Sequence, residues 1–180
     1  EDPIMTAARI TCAAVAGLTS LLILPGAATA LSCLQPDPVQ HYVQARDSSE
    51  RYMAVLGRFT VPGQLAQPSP APVPPPGAAQ PRDGVAITDG VRFQGRALDQ
   101  DGFDQTVDRP VSVALSCLGQ FCATSLPEGE VLAYLKQTTT VPRAEVDPCG
   151  GWFYENPTPA QIDAVLACHT GGKCVTGVAR

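Results

Sequence analysis

The sequence predicts a mainly β, disulfide-fixed small domain with a short helix near each end. Three observations carry this. Val111, Val113 and Leu115 alternate with small or polar residues, the period-2 signature of a half-buried strand. Six cysteines follow an apolar leader, an even number that reads as three disulfides in an exported chain. Asp37-Pro38-Val39-Gln40 and Thr158-Pro159-Ala160-Gln161 each place a capping side chain, a first-turn proline and a glutamine at the start of a helical stretch.

The leader comes first in the chain. Met5 reads as the start, Arg9 supplies a positive charge, and Ile10 to Leu24 is apolar apart from Thr and Ser. Pro25-Gly26 breaks the run, and Ala28-Thr29-Ala30 is a small-x-small site. This order predicts a signal peptide, residues 1–30, cleaved after Ala30. The apolar run is about 15 residues, short of the roughly 20 that span a bilayer, so no stable membrane span is expected after cleavage. Lipid attachment at Cys33 is disfavoured because Leu31 sits one place too late for the usual pattern. Export to the periplasm or the medium is the expectation, with one domain over residues 31–180.

Of seven cysteines, Cys12 leaves with the leader; Cys33, Cys117, Cys122, Cys149, Cys168 and Cys174 remain. Fifteen connectivities are open to six cysteines. Zinc is the rival use, but no C-x2-C spacing is present, the two histidines are not at ligand spacing, and export favours oxidation. No metal and no cofactor are expected. With a net charge of -5 and 12 scattered basic residues, the chain lacks the clustered Lys and Arg that phosphate binding needs, which argues against a nucleic-acid partner.

Along the mature chain, Val39, Tyr42 and Val43 share one face of a helix running from Pro38 to about Arg46. His41 beside that face reads as a packed or surface histidine. Arg51 to Val61 is the first strand, with Gly57 marking a bulge or sharp bend. Residues 62–83 hold eight prolines, including Pro68-Ser69-Pro70-Ala71-Pro72-Val73-Pro74-Pro75-Pro76. That stretch favours polyproline II and can join neither ladder nor helix, so it is expected as a disordered loop between two paired strands. Residues 83–87 and 90–98 supply the second strand. Asp99 to Asp104 only loosely resembles a calcium loop, lacking the third acid and the terminal Glu, and reads as a solvated turn. The strand from Val107 ends in a turn bearing Cys117 and Cys122. Pro127-Glu128-Gly129 then leads into a return strand, Glu130 to Thr140, which completes a central hairpin ended by Val141-Pro142. Trp152, after Cys149-Gly150-Gly151, is expected as a core plug beside a disulfide. Ile162, Val165 and Leu166 form the stripe of the last helix, which Gly171-Gly172 ends. Cys168 and Cys174 lie close enough to bridge that end, and His169 reads as a last-turn residue meeting the helix dipole.

Strands in this order, with a cysteine segment before them and a helix after, look like an OB-type Greek-key barrel. From Cys33 to Cys174 the chain resembles the netrin-like module family, which includes the tissue inhibitors of metalloproteinases. The resemblance rests on Cys33-Leu34-Gln35-Pro36 with Ala45-Arg46-Asp47, on Gly57-Arg58-Phe59, and on Phe121-Cys122-Ala123-Thr124-Ser125-Leu126-Pro127-Glu128-Gly129. Val131-Leu132-Ala133-Tyr134-Leu135 and Cys149 before Trp152 complete it. It implies that Cys33 ties the N-terminal segment to the barrel and favours the pairing Cys33–Cys149, Cys117–Cys122 and Cys168–Cys174; Cys33–Cys122 with Cys117–Cys149 is the rival. It also implies that Cys33, Leu34, Gln35 and Pro36 contact a partner. Family inhibitors begin at Cys-x-Cys and chelate the target's zinc through the terminal amine and carbonyl. Here Leu31-Ser32 precede a single cysteine, so that chemistry lacks its first atom. No nucleophile–base pair and no phosphate loop is readable from spacing. The sequence thus points to a non-catalytic binding module for a protein or cell-envelope partner, with metalloprotease inhibition through the Cys33 segment as the alternative.

Overall fold

The computed structural model describes residues 32–33, 37–72 and 84–177, all within the compact unit Leu31–Arg180. In chain order these residues form α1 (Pro38–Asp47), β1 (Tyr52–Thr60), β2 (Val85–Ala97), β3 (Gln105–Leu118), β4 (Phe121–Cys122), β5 (Val131–Lys136), β6 (Arg143–Val146), β7 (Phe153–Glu155) and α2 (Pro159–His169).

Five strands close a barrel. β1, β2 and β3 are antiparallel neighbours, β5 returns to the free side of β1, and β6 lies between β3 and β5, parallel to β3. The order β5-β1-β2-β3 is a Greek key, which β6 closes; this is the expected OB-type arrangement. β7 extends the sheet on the other side of β5, and β4 folds back on the end of β3.

The pleat divides the side chains into two layers. Val55, Val91, Phe93, Val111, Val113, Leu115, Val131, Ala133, Leu135 and Ala144 fill the barrel interior. Ala54, Leu56, Leu132, Tyr134 and Tyr154 belong to a second cluster with Val39 of α1 and Val165 of α2. The helices therefore cover the outside of β1, β5 and β7. Both start as their sequences dictate. The Asp37 carboxylate accepts from the Gln40 N–H at 2.8 Å, and Thr158 and Gln161 form a reciprocal capping box.

Three sequence expectations need correction. The central hairpin is not one: β3 and β5 are separated by β6, and β5 pairs with β1 instead. The return strand stops at Lys136 because the Thr138 hydroxyl accepts from the Thr140 N–H and donates to the Val141 carbonyl. That local turn overrides the β propensity of three successive threonines. Gly57 is no bulge either, since both β1 ladders run through it without a register break. It faces Gly95 across the ladder, and the Phe93 ring lies over both glycines. The irregularity lies in β2, between Thr88 and Val91, where Gly90 takes φ +79°.

The beginning of the proline-rich segment is laid against the barrel. Ala66 N–H donates to the Thr88 hydroxyl, Gln67 donates to the Leu65 and Thr124 carbonyls, and Leu65 packs on the interior cluster. Residues 73–83 lie outside the described residues.

A Cβ at Gly57 would fall against the Gln94 carbonyl oxygen and lie 2.6 Å from the Gly95 Cα, on backbone that cannot swing away. Gly57→Ala is expected to cost about 2–3 kcal/mol, in the upper range of overpacking. Gly63→Ala, with nothing within 4 Å, should stay within about 0.5 kcal/mol of the parent. Urea unfolding of the two variants checks both values.

Candidate partner-binding face

The chain has four tyrosines, one tryptophan and two histidines. All seven gather in the layer between the barrel and its helices: ring contacts link His41 on α1, Tyr52 on β1, Tyr134 on β5 and Trp152 and Tyr154 around β7, and separately pair Tyr42 on α1 with His169 on α2. Pleat and pairing place them. Tyr52 and Ala54 lie opposite Lys136 and Tyr134, and Tyr154 lies opposite Leu132, so the tyrosines on these strands share the outward parity.

Each buried hydroxyl has a partner. Tyr134 donates to the Pro38 carbonyl at 2.6 Å, which pins the first turn of α1 to β5. Tyr154 and the Nδ1 of His41 are 2.5 Å apart, and the His41 ring stacks on Trp152 with centroids 5.1 Å apart. Burial pushes the Tyr134 and Tyr154 phenols well above the ordinary tyrosine range, so both stay protonated. Tyr154 and the His41 Nδ1 thus share a hydrogen bond whose donor follows the His41 tautomer. Burial lowers the His41 pKa, against weaker opposing pulls from the Asp37 and Asp147 carboxylates.

His169 is more than a last-turn residue. Its Nε2 lies 2.6 Å from the Asp99 carbonyl and its Nδ1 2.9 Å from the Tyr42 hydroxyl. A carbonyl can only accept, so Nε2 carries a hydrogen, and in the singly protonated ring Tyr42 donates to Nδ1. One imidazole thereby joins α2, α1 and the β2–β3 turn. In that turn the Asp101 N–H donates to the Asp99 carboxylate, and Phe103 is buried under α2.

Trp152 is half-buried, not a plug of the interior. Its ring packs against Tyr52, with centroids 4.6 Å apart, and against His41. Gly150 and Gly151 precede it with φ +93° and +63°, and the Asp147 carboxylate accepts from the Cys149 and Gly151 N–H groups. Beside this turn Cys149 is bonded to Cys33; Cys117–Cys122 and Cys168–Cys174 are the other two disulfides. Cys33 is exposed, while Leu34, Gln35 and Pro36 lie outside the described residues. Of the segment expected to touch a partner, Cys33 is thus fixed at the turn that leads to Trp152.

Two adjoining hollows open on this face. One, about 300 Å³, is lined by Tyr42, Tyr52, Tyr134 and His169 with Arg46, Gln105 and Gln137 among its polar groups. The other, about 250 Å³, has Tyr52, Tyr134 and Trp152 as walls and Ser116, Lys136, Glu145 and Asp147 around them. Tyr52 and Tyr134 line both. Elsewhere a larger groove of about 640 Å³ runs between residues 59–67 and 124–129, with Phe59 its one aromatic wall and Glu128 its one ionisable side chain. Sequence reading missed the aromatic face because its members are spread from residue 41 to 169. The available signal was compositional: few polar aromatics, most of them on outward strand positions or helix faces. No group of His, Cys, Asp and Glu suited to hold a metal ion occurs among the described residues.

The half-buried His41, whose pKa burial lowers, fixes the sign of a pH effect. Its folded pKa lies below the unfolded value near 6.5, so the unfolded state binds more protons as the pH falls past that value. Stability is complete above about pH 6.5 and is lost progressively below it, until the folded pKa is reached. A fall in urea midpoint between pH 7.5 and pH 5 is expected, and His41→Gln should flatten it. An unchanged slope in His41→Gln would contradict the assignment. Comparison of the chain with protein-family models, with curated proteins and with solved structures gives no match.

Proposed function

We propose that this protein is an exported, non-catalytic binding module of netrin-like fold that recognises a protein or cell-envelope partner on its aromatic face. The observation that carries this reading is the pair of hollows walled by tyrosines and Trp152, one of which is lined by Asp147 and Gly151 of the turn that the Cys33–Cys149 disulfide fastens. Half-buried aromatics with a few polar groups around them suit recognition.

The histidines support the absence of catalysis. A general base needs a free nitrogen near a nucleophile. His169 uses both ring nitrogens, and His41 uses Nδ1 on a buried phenol while its ring stacks on Trp152. The six disulfide-bonded cysteines supply no thiolate. Three disulfides fit an oxidising compartment, and with the leader they support the periplasm or the medium. No described helix is long and apolar enough to cross a membrane.

The alternative is metalloprotease inhibition. It is favoured by the exposure of Cys33 and its bond to Cys149, which would hold a terminal amine at the edge of the module if processing ended there.

Two measurements decide. Intact mass of the exported protein is expected to show a chain starting at Leu31 with three disulfides. A start at a free Cys33 amine, with zinc-dependent inhibition of a metalloproteinase panel, would establish the alternative. Photo-crosslinking residues at Gln137 and Glu145, on the rims of the two hollows, are expected to trap one and the same partner. Trapping from Gln64 in the larger groove, with none from Gln137 or Glu145, would overturn the assignment to the aromatic face.

A further inference from the structure

The two hollows meet at the half-buried ring of Tyr52, with the buried Tyr134 behind it, and each has a further half-buried aromatic wall: Tyr42 in one, Trp152 in the other. Polar groups surround the aromatic walls. Gln105 and Gln137 are exposed in the first, and the second is lined by Ser116, which donates to the Val146 carbonyl, and by Lys136, which pairs with Glu50. Aromatic ridges with donors between them are what a polyproline II segment recognises. Its pyrrolidine rings fill the spaces between aromatic rings, and its carbonyls, unbonded within the helix, accept from the donors.

Charge sets the second requirement. Lys136 is neutralised by Glu50, 3.4 Å away. Glu145 is exposed and forms no salt bridge among the described residues. Asp147 stands beside it with one oxygen taken by the two N–H groups of its turn. The second hollow is therefore acidic at its rim, and a basic side chain complements it.

We infer that the aromatic face binds a proline-rich polyproline II segment of a partner chain, carrying a basic residue that meets Glu145 and Asp147. This rests on the binding-module reading and gives its partner a chemical class. The chain holds one stretch of the same chemistry, Pro68 to Pro76 followed by Arg82, so a second copy is one source of such a segment.

The test uses the chain's own reporter, Trp152, as the only tryptophan. The probe is a synthetic peptide of repeated Ala-Pro-Pro ending in arginine. It is titrated against the wild type and against a variant with residues 68–82 replaced by Gly/Ser of equal length. A saturable change in Trp152 fluorescence is expected. Tyr52→Ala should weaken it about tenfold or more, as loss of an aromatic anchor does. Should Tyr52→Ala fail to fold, Glu145→Lys on the exposed rim is the second variant: it should weaken the arginine-ended peptide and leave an alanine-ended one unchanged. Binding seen only with the Gly/Ser variant supports the site and identifies the chain's own stretch as its competitor. No saturable change with either protein, or binding indifferent to both substitutions, overturns the inference. If a partner is still trapped from Gln137 and Glu145 in that case, the module reading stands and only its partner class falls.

Discussion

Closure of the barrel rests on β1, which carries two ladders over the same residues: Val55, Leu56 and Gly57 pair with β2 on one side and β5 on the other. A short strand can bond along both edges in a closed five-stranded barrel only where the sheet coils strongly. The Gly57–Gly95 pair permits this, because neither residue puts a Cβ between the backbones and the Phe93 ring occupies the space both leave. That ring also meets Phe59, which meets Phe153, so an aromatic chain inside the barrel runs from the closure point to β7. Without the close approach β5 would have no partner on its β1 side, and the helices would lose the sheet they cover.

The outer layer follows from this. Once β1, β5 and β7 lie side by side, their outward residues form an apolar surface too small to stand alone in water, and two short helices cover it. Helices of 10 and 11 residues are marginal by themselves. Their attachment therefore depends on contacts beyond apolar packing, and these are supplied at defined atoms: Tyr134 to the Pro38 carbonyl, Tyr154 to His41, and His169 to both Tyr42 and the Asp99 carbonyl. Each hydroxyl brings apolar area to the layer and a donor to its edge, which explains why tyrosine, and not phenylalanine, is used here. The disulfides act at the margins. Cys33–Cys149 closes 116 residues, a loop for which chain entropy alone gives about 4–5 kcal/mol. Cys168–Cys174 fastens the chain where α2 ends.

What was legible in the sequence was local. The period-2 run at Val111 to Leu115, the capping box at Thr158 and Gln161, Pro38 after Asp37, and the even cysteine count each state a short-range preference, and each corresponds to a feature of the fold. What was not legible is set by distant pairing. Arg143–Val146 is four residues long, and nothing in it says that it joins β3 in parallel and separates β3 from β5. Gly57 announced an irregularity, but its partner Gly95 is 38 positions away, so close approach and bulge could not be told apart. Trp152 read as a core residue because it follows Cys149-Gly150-Gly151, where the backbone can approach closely beside a disulfide. Its actual place depends on Tyr52, which β1–β5 pairing brings near, and on His41, which α1 lays over it. The aromatic face is a product of topology, and no window of the sequence contains it.

The same economy separates structure from recognition within that face. Tyr134, Tyr154 and His169 are spent on holding the helices, since their polar atoms are bonded. Tyr52 differs. It is half-buried, its hydroxyl makes no hydrogen bond to a described residue that would require tyrosine there, and it separates two hollows. A residue needed only to cover the sheet could be apolar and smaller, as Ala54 and Leu56 on the same strand are. An aromatic ring packed on Trp152, with a hydroxyl that bonds to none of the described residues, fits a contact made with something outside the chain. The cover of helices thus fixes the barrel and at the same time leaves, along its border with β1 and β5, the part of the molecule best suited to meet a partner.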